Sequence, residues 1–423
     1  MTLLLSGGEV VDETGRRRAD VLVDDDGAIT AVGSDVGRAD RTLDCGGCVV
    51  APGLVDLHTH LREPGREEAE TIETGARAAA LGGFTAVVAM PNTEPAIDSA
   101  GIVREVLELG AKAICDVRPA GAITKGRRGE ELAPLAEMAA LGVRLFTDDG
   151  SGVQDSRLMR RALEYASALG VTLAQHCEDA GLAAGGHMHE GAVSSRLGVP
   201  GVPSEAEELM VARDIALSKL TGAPVHFLHL STAGSVELVR RAKADGARIT
   251  AEAAPHHFTL TADLLDGYDT VFKVNPPLRT DDDVAAVRAG LADGTIDAVA
   301  TDHAPHAQEA KEAPFDEAPP GMLGLETALA LTLAILPLEQ ALAALSWKPA
   351  RIAQLGDHHG GPVAEGRPAN LTVVDLGATW TVDPSRLASR SRNTPYAGRT
   401  LTGAVRHTVL RGEPVVVDGE ATR

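Results

Sequence analysis

Between about residue 52 and residue 360 the chain alternates in a fixed order: an apolar, β-branched run, then a stretch rich in Ala, Leu, Glu and Arg. The helical stretches are Glu68 to Leu81, Ser99 to Leu109, Asp155 to Leu169, Ser204 to Leu220 and Ser235 to Ala244. Repeated strand-then-helix order builds a parallel sheet, because parallel neighbours need a crossover and a helix supplies it. Roughly eight candidate strands fit the span, and an α/β barrel of the (β/α)8 TIM type takes ~250 residues or more. An open, doubly wound sheet is the competitor, but no Gly-x-Gly-x-x-Gly follows an early strand.

The two ends of the chain read differently. Leu3-Leu4-Leu5, Val21-Leu22-Val23 and Ile29 to Val32 are short strands, with Asp26-Gly27 as a hairpin turn. Near the other end, Leu371 to Asp375, Val405 to Leu410 and Val415 to Val417 repeat the pattern around Gly412-Glu413-Pro414. This predicts a small β-sandwich domain formed from both termini, residues 1–52 and 362–423, around a barrel at 53–361.

Composition excludes several partners. Lys and Arg number 39 against 60 Asp and Glu, a net charge of −21, and no basic patch stands out, so no nucleic acid is expected. The most apolar stretch, Thr327 to Leu336, falls short of the roughly 18 residues of a spanning helix, so no membrane is expected. The opening residues Met1 to Gly7 carry no basic leader, which predicts a cytoplasmic protein. Four Cys make no disulfide framework, and Cys45 and Cys48 read as incidental thiols. Asp24, Asp25 and Asp26 lack the spacing of a calcium loop and read as a solvated turn.

The residues that carry chemistry stand where the apolar runs stop. One run ends on His58-Thr59-His60, the next on Asn92, and others on Asp148-Asp149, His176, His229 and Asp302-His303. In a barrel these ends converge on the face where active sites lie. His58 and His60, two apart on a strand, point the same way. Four His and two Asp exceed the needs of one tetrahedral zinc and suit two metals about 3.5–4 Å apart. Asp148 and Asp149 face opposite sides, so only one enters the mouth. By the same alternation His226 faces away from His229 and reads as structural. His256-His257 is expected on the seventh strand in a structural role, and Cys177 in the core.

Four segments in order resemble the dihydroorotase family of the amidohydrolase superfamily. They are Asp56 to Gly65 (DLHTHLREPG), Met90 to Ala96 (MPNTEPA), Lys273 to Arg279 (KVNPPLR) and Ala300 to His306 (ATDHAPH). Gly361 to Leu371 is similar to the start of the returning β domain in that family. The resemblance covers nearly the whole chain. It implies reversible hydrolysis of the cyclic amide of dihydroorotate to N-carbamoyl-L-aspartate, a step of pyrimidine biosynthesis. It also implies two Zn²⁺ per chain, one held by His58, His60 and Asp302 and one by His176 and His229. Many relatives bridge the metals with a carboxylated Lys on the fourth strand. Here that strand has no Lys, and Asp149 matches the bridging Asp of the type I branch. This departure argues against hydantoinases and allantoinases, which keep the Lys.

The chemistry follows from residue types. A metal-activated water attacks the amide carbonyl, and a carboxylate must carry its proton to the leaving nitrogen. Asp302 is the candidate for that catalytic role. The substrate carboxylate needs a cation and fixed donors: Arg62 shares the His60 face and can clamp it in bidentate fashion, and by resemblance Asn92 and His306 help. Asn275 is expected to touch the ring, and Pro320 and Gly321 to offer backbone groups at the mouth. The loop from Ala304 to Pro320 reads as a mobile lid or an exposed insertion. Family membership further implies a homodimer and leaves room for an aspartate transcarbamoylase complex. The rival readings are another cyclic amidase, such as an allantoinase or dihydropyrimidinase, and a degenerate scaffold without activity. The second conflicts with a full set of metal-type residues.

Overall fold

The computed structural model describes residues 1–423. Eight short parallel strands form its centre: β1 (Leu54–Thr59), β2 (Phe84–Ala89), β3 (Asp116–Pro119), β4 (Leu145–Phe146), β5 (Thr172–Gln175), β6 (Val225–Phe227), β7 (Ile249–Ala253) and β8 (Ala298–Val299). Each pairs in parallel with the next, the β3–β4 step being a single bridge from Gly121 to Phe146. A parallel bridge between Thr59 and His303 joins the end of β8 back to β1, so the pairing runs in a circle. Small side chains, among them Val55, Leu57, Ala86, Ala174, Leu228 and Ala298, form one buried cluster with Ala350, Ala353 and Leu355. The scarcity of aromatic residues suits this narrow interior.

Helices cover the outside, and their limits follow local chemistry. Ser156–Leu169 starts on Asp155, whose carboxylate accepts from the Leu158 N–H, and ends on a left-handed Gly170. The expected helices from Glu68, Ser99, Ser204 and Ser235 form as Ile72–Leu81, Ala100–Gly110, Glu205–Thr221 and Ala233–Ala244.

Two further sheets take strands from the chain ends. One has the order Ile29–Gly33, Asp20–Val23, Leu3–Ser6, Arg41–Asp44. The other interleaves Glu9–Asp12 and Val49–Pro52 from the start of the chain with Leu371–Thr381, Thr400–Leu410 and Glu413–Val417 from its end. Leu3, Val21, Val23, Ile29, Val50, Leu371 and Val409 belong to one core, which also buries Cys45 and Cys48 as free thiols. Burial and the neighbouring Cys48 push the Cys45 thiol up to about 12, which disfavours the thiolate.

The apolar run from Val49 to Leu57 is not one strand. Val49–Pro52 pairs with Leu371–Val374 in the terminal sheet, and β1 begins at Leu54. Gly53 makes the joint: a Cβ there would lie 2.2 Å from the Thr85 side chain.

Candidate metal and active site

The strand ends bring the polar residues together as the alternation of side chains requires, with local exceptions. A pairing irregularity between Asp56 and Thr59 marks the end of β1. His58 and His60 both turn into the mouth. Arg62, His229 and Asp302 have positive φ, 62°, 31° and 47°, in a region that costs a side-chain-bearing residue of order 1–3 kcal/mol. Three of the expected site residues are therefore held in strained backbone by their surroundings.

Asp149 lies at the centre. Its Oδ1 is 3.5 Å from His58 Nε2, His176 Nδ1 and His229 Nε2, and its Oδ2 is 3.6 Å from His60 Nε2. Asp302 Oδ1 is 3.0 Å from His60 Nε2 and 3.5 Å from His58 Nε2. All six residues are buried. Asp148 turns away as expected and accepts from the Ile123 and Thr124 N–H groups.

The hydrogen bonds show how the residues of this cluster are oriented toward one another. Asp149 only accepts, so the Asn92 amide points its Nδ2 at Asp149 Oδ2, 3.3 Å away, and its Oδ1 at His60 Nδ1, 2.8 Å away. His60 Nδ1 must then donate, which leaves a lone pair on Nε2 facing Asp302 Oδ1. Glu252 Oε1 takes the His58 Nδ1 proton at 3.0 Å and leaves the His58 Nε2 lone pair facing two carboxylates. His176 Nδ1 and His229 Nε2 stand 3.0 Å apart, close to the ~3.3 Å between two ligands of one tetrahedral zinc. His58 Nε2 is buried without a hydrogen-bond partner and faces this space together with His176 Nδ1 and His229 Nε2. Lone pairs that converge in a buried space call for a proton or a metal ion between them. Burial opposes charge on Asp149 and on His58. The facing histidines outweigh it at Asp149, whose carboxyl is held well below the usual carboxylate range. The same field attracts a divalent cation. The donor set of imidazoles and carboxylates fits zinc, with His58, His60 and Asp302 on one side and His58, Asp149 and His229 on the other.

Around the cluster, Arg62 is buried and donates through Nε to the Pro305 carbonyl; its Nη2 is 3.4 Å from His306 Nε2. Burial and Arg66 lower its guanidinium to about 10, so it stays charged. His306 donates to the Pro320 carbonyl at 2.8 Å. Burial, then Arg62 and Lys311, drive it down to about 2, so it is neutral. Asn275 and Pro320 line a cavity of about 290 Å³.

Several expectations need correction. Pro320 and Gly321 do not offer free backbone groups: the Pro320 carbonyl is taken by His306, and the Gly321 N–H donates to Lys273 O. Gly321 permits close approach, as its lack of a side chain suggests, since a Cβ there would lie 2.8 Å from His306 Nε2. The 304–320 segment is exposed at Gln308, Glu309, Glu312 and Glu317, and two lysines contact its carbonyl groups. Buried Lys311 donates to the carbonyls of Lys273, Pro319 and Gly321, and Lys273 to those of Phe315 and Asp316. His256 and His257 lie on a turn of 3-10 helix, Pro255–Phe258, beyond β7, where Pro255 stops the strand. His226 also points inward, below the cluster, because the left-handed backbone at His229 breaks the alternation. Two residues escaped the sequence reading. Arg127 donates to the Asp149 carbonyl at 2.6 Å, and Glu252 receives His58. A carboxylate inside the apolar run Ile249-Thr250-Ala251-Glu252-Ala253 was the available signal.

In fold the chain is similar to L-hydantoinase (dihydropyrimidinase) from Arthrobacter aurescens, with a TM-score of 0.90 and 26% identity over 100% of this chain and 97% of that one. It is similar also to a D-hydantoinase, with a TM-score of 0.87 and 25% identity over 100% and 96% of the two chains. Fold and site together define an amidohydrolase. Sequence narrows the class. The dihydroorotase of Pelotomaculum thermopropionicum is 50% identical over 427 residues, 99% of each chain. That of Streptomyces coelicolor is 50% identical over 429 residues, again 99% of each. Residues 47–235 match the family described as Dihydro-orotase-like. The chain belongs to the dihydroorotase family.

Proposed function

We propose that the protein is a zinc-dependent dihydroorotase of the type I branch, interconverting dihydroorotate and N-carbamoyl-L-aspartate in pyrimidine biosynthesis. The observation that carries this reading is the set of lone pairs directed at Asp149, a carboxylate standing where many amidohydrolases have a Lys. In this reading residues 53–361 form a TIM-type barrel with the active site, and residues 1–52 and 362–423 form a β-sandwich beside it. His58, His60 and Asp302 would hold one Zn²⁺, His176 and His229 a second, and Asp149 would bridge them. Bound zinc polarises the amide carbonyl and makes water acidic enough to react at neutral pH.

The chain's own residues supply the rest. Asp302 Oδ1 faces His60 and His58, which leaves Oδ2 to take a proton from the attacking water and deliver it to the ring nitrogen as the C–N bond breaks. Arg62 has guanidinium N–H groups left over to clamp the substrate carboxylate, with Asn92 and His306 beside it. Asn275 borders the ring, while Pro320 and Gly321 keep His306 in place. A cytoplasmic homodimer, with room for an aspartate transcarbamoylase partner, completes the proposal.

Turnover of the purified protein on dihydroorotate, dihydrouracil and hydantoin tests it. Hydrolysis of dihydroorotate far above the other two is expected. Preference for hydantoin or dihydrouracil would favour the activity named for its structural relatives.

A further inference from the structure

A buried line of polar groups runs from the metal cluster down the inside of the strand ring. His58 Nδ1 is 3.0 Å from Glu252 Oε1, Glu252 Oε2 is 2.9 Å from His226 Nε2, and His226 Nδ1 is 2.8 Å from Thr250 Oγ1. Its directions follow from what each group can do. A carboxylate only accepts, so His58 Nδ1 and His226 Nε2 both donate to Glu252. A neutral His226 then has its lone pair on Nδ1, which accepts from the Thr250 hydroxyl. His58 has its lone pair on Nε2, aimed at Asp149 and Asp302. His58, His226 and Glu252 are wholly buried, in an interior otherwise filled by residues such as Leu57, Ala86 and Ala174. A charge in such a place opposes folding unless both of its oxygens are satisfied, and here each has one histidine donor.

The two histidines of the His58-Thr59-His60 motif are thus oriented by different partners. His60 Nδ1 meets the neutral amide of Asn92, and His58 Nδ1 meets a carboxylate. An ionised acceptor makes the imidazole the stronger electron-pair donor at its other nitrogen.

We propose that Glu252, steadied by His226 and Thr250, is a positioning residue that fixes the tautomer and ring direction of His58 and strengthens its hold on metal. The inference rests on the reading of His58 as a metal ligand. Full-length wild type, Glu252→Gln, His226→Gln and Thr250→Val are stripped of metal, then titrated with Zn²⁺ against a chromophoric chelator and separately loaded with Co²⁺ for visible spectra. Glu252→Gln keeps the side chain's shape but loses its charge, and about 10- to 100-fold weaker zinc binding is expected, with displaced cobalt bands. His226→Gln should weaken zinc less. Thr250→Val, three hydrogen bonds from the metal, should weaken it about two- to five-fold, the worth of one neutral hydrogen bond. If Glu252→Gln does not fold, the isosteric Thr250→Val carries the test. Zinc affinity and cobalt spectra identical to wild type in the variants that fold would overturn the inference. A wild type that takes up neither metal would overturn the ligand reading beneath it.

Discussion

The terminal sheets and the mouth of the strand ring both bury polar side chains, but only one of them satisfies them. Between the terminal sheets, Asp12 is met by Thr14, Arg17 and the Val363 N–H, and His407 by the Asp44 carbonyl and the Asp418 N–H. At the mouth, His58, His176, His229 and His256 each leave a buried ring nitrogen without a partner. Elsewhere in the terminal sheets only Thr372 Oγ1 is left so. A core built for stability satisfies its polar atoms. A site built for a ligand leaves them open, at a cost that the surrounding fold must offset.

Substitutions can break this contrast. Asp302→Asn should lower turnover of dihydroorotate about 10²- to 10⁴-fold, the range for a lost proton carrier, with little change in thermal midpoint. Leu5→Ala, in the terminal core, should do the reverse. It removes about 2–5 kcal/mol of unfolding free energy in denaturant titration and leaves turnover per folded molecule unchanged. A mouth substitution that unfolds the protein, or a terminal one that abolishes turnover in folded protein, would erase the distinction. Arg62→Lys keeps a charge but loses the bidentate fork, and kcat/KM should fall about 10- to 100-fold, chiefly through KM.

A smaller effect sharpens the comparison outside both regions. Burial pushes the Glu326 carboxyl up to about 7 from an ordinary 4.5, against the backbone N–H groups of Ala388 and Ser389 and the charge of Arg392. The unfolded chain releases this proton first, so the fold loses stability as pH rises from about 4.5 to 7, and the loss stays constant above that. Glu326→Gln should therefore raise unfolding free energy by about 3 kcal/mol at pH 8 and leave it unchanged at pH 4. Carboxylates at the mouth behave in the opposite way, because histidines face them: Asp149 and Asp302 are held below their usual range.

Much of this was legible in the residues because it depends on local rules. Asp155 before Ser156–Leu169 and Gly170 after it mark a helix by capping chemistry alone. His58-Thr59-His60 at the end of an apolar run announces two imidazoles on one face. The features that escaped depend on tertiary contact. The run from Val49 to Leu57 is uniformly apolar, and only the approach of Thr85 to Gly53 shows where one sheet ends and another begins. His226 was assigned to the wrong face because strict alternation ignores the backbone at His229. In the 304–320 loop, Lys311 and Lys273 donate to carbonyl groups, and such bonds leave no pattern in sequence.

In the proposed site Asp149 joins two metal positions that the reaction needs. Zinc per chain, measured together with dihydroorotate turnover on wild type and Asp149→Ala, tests it most directly. Two zinc ions and activity in the wild type are expected, with both reduced in the variant. A fully active wild type holding one zinc, or an Asp149→Ala variant that keeps two zinc ions and full turnover, would contradict it.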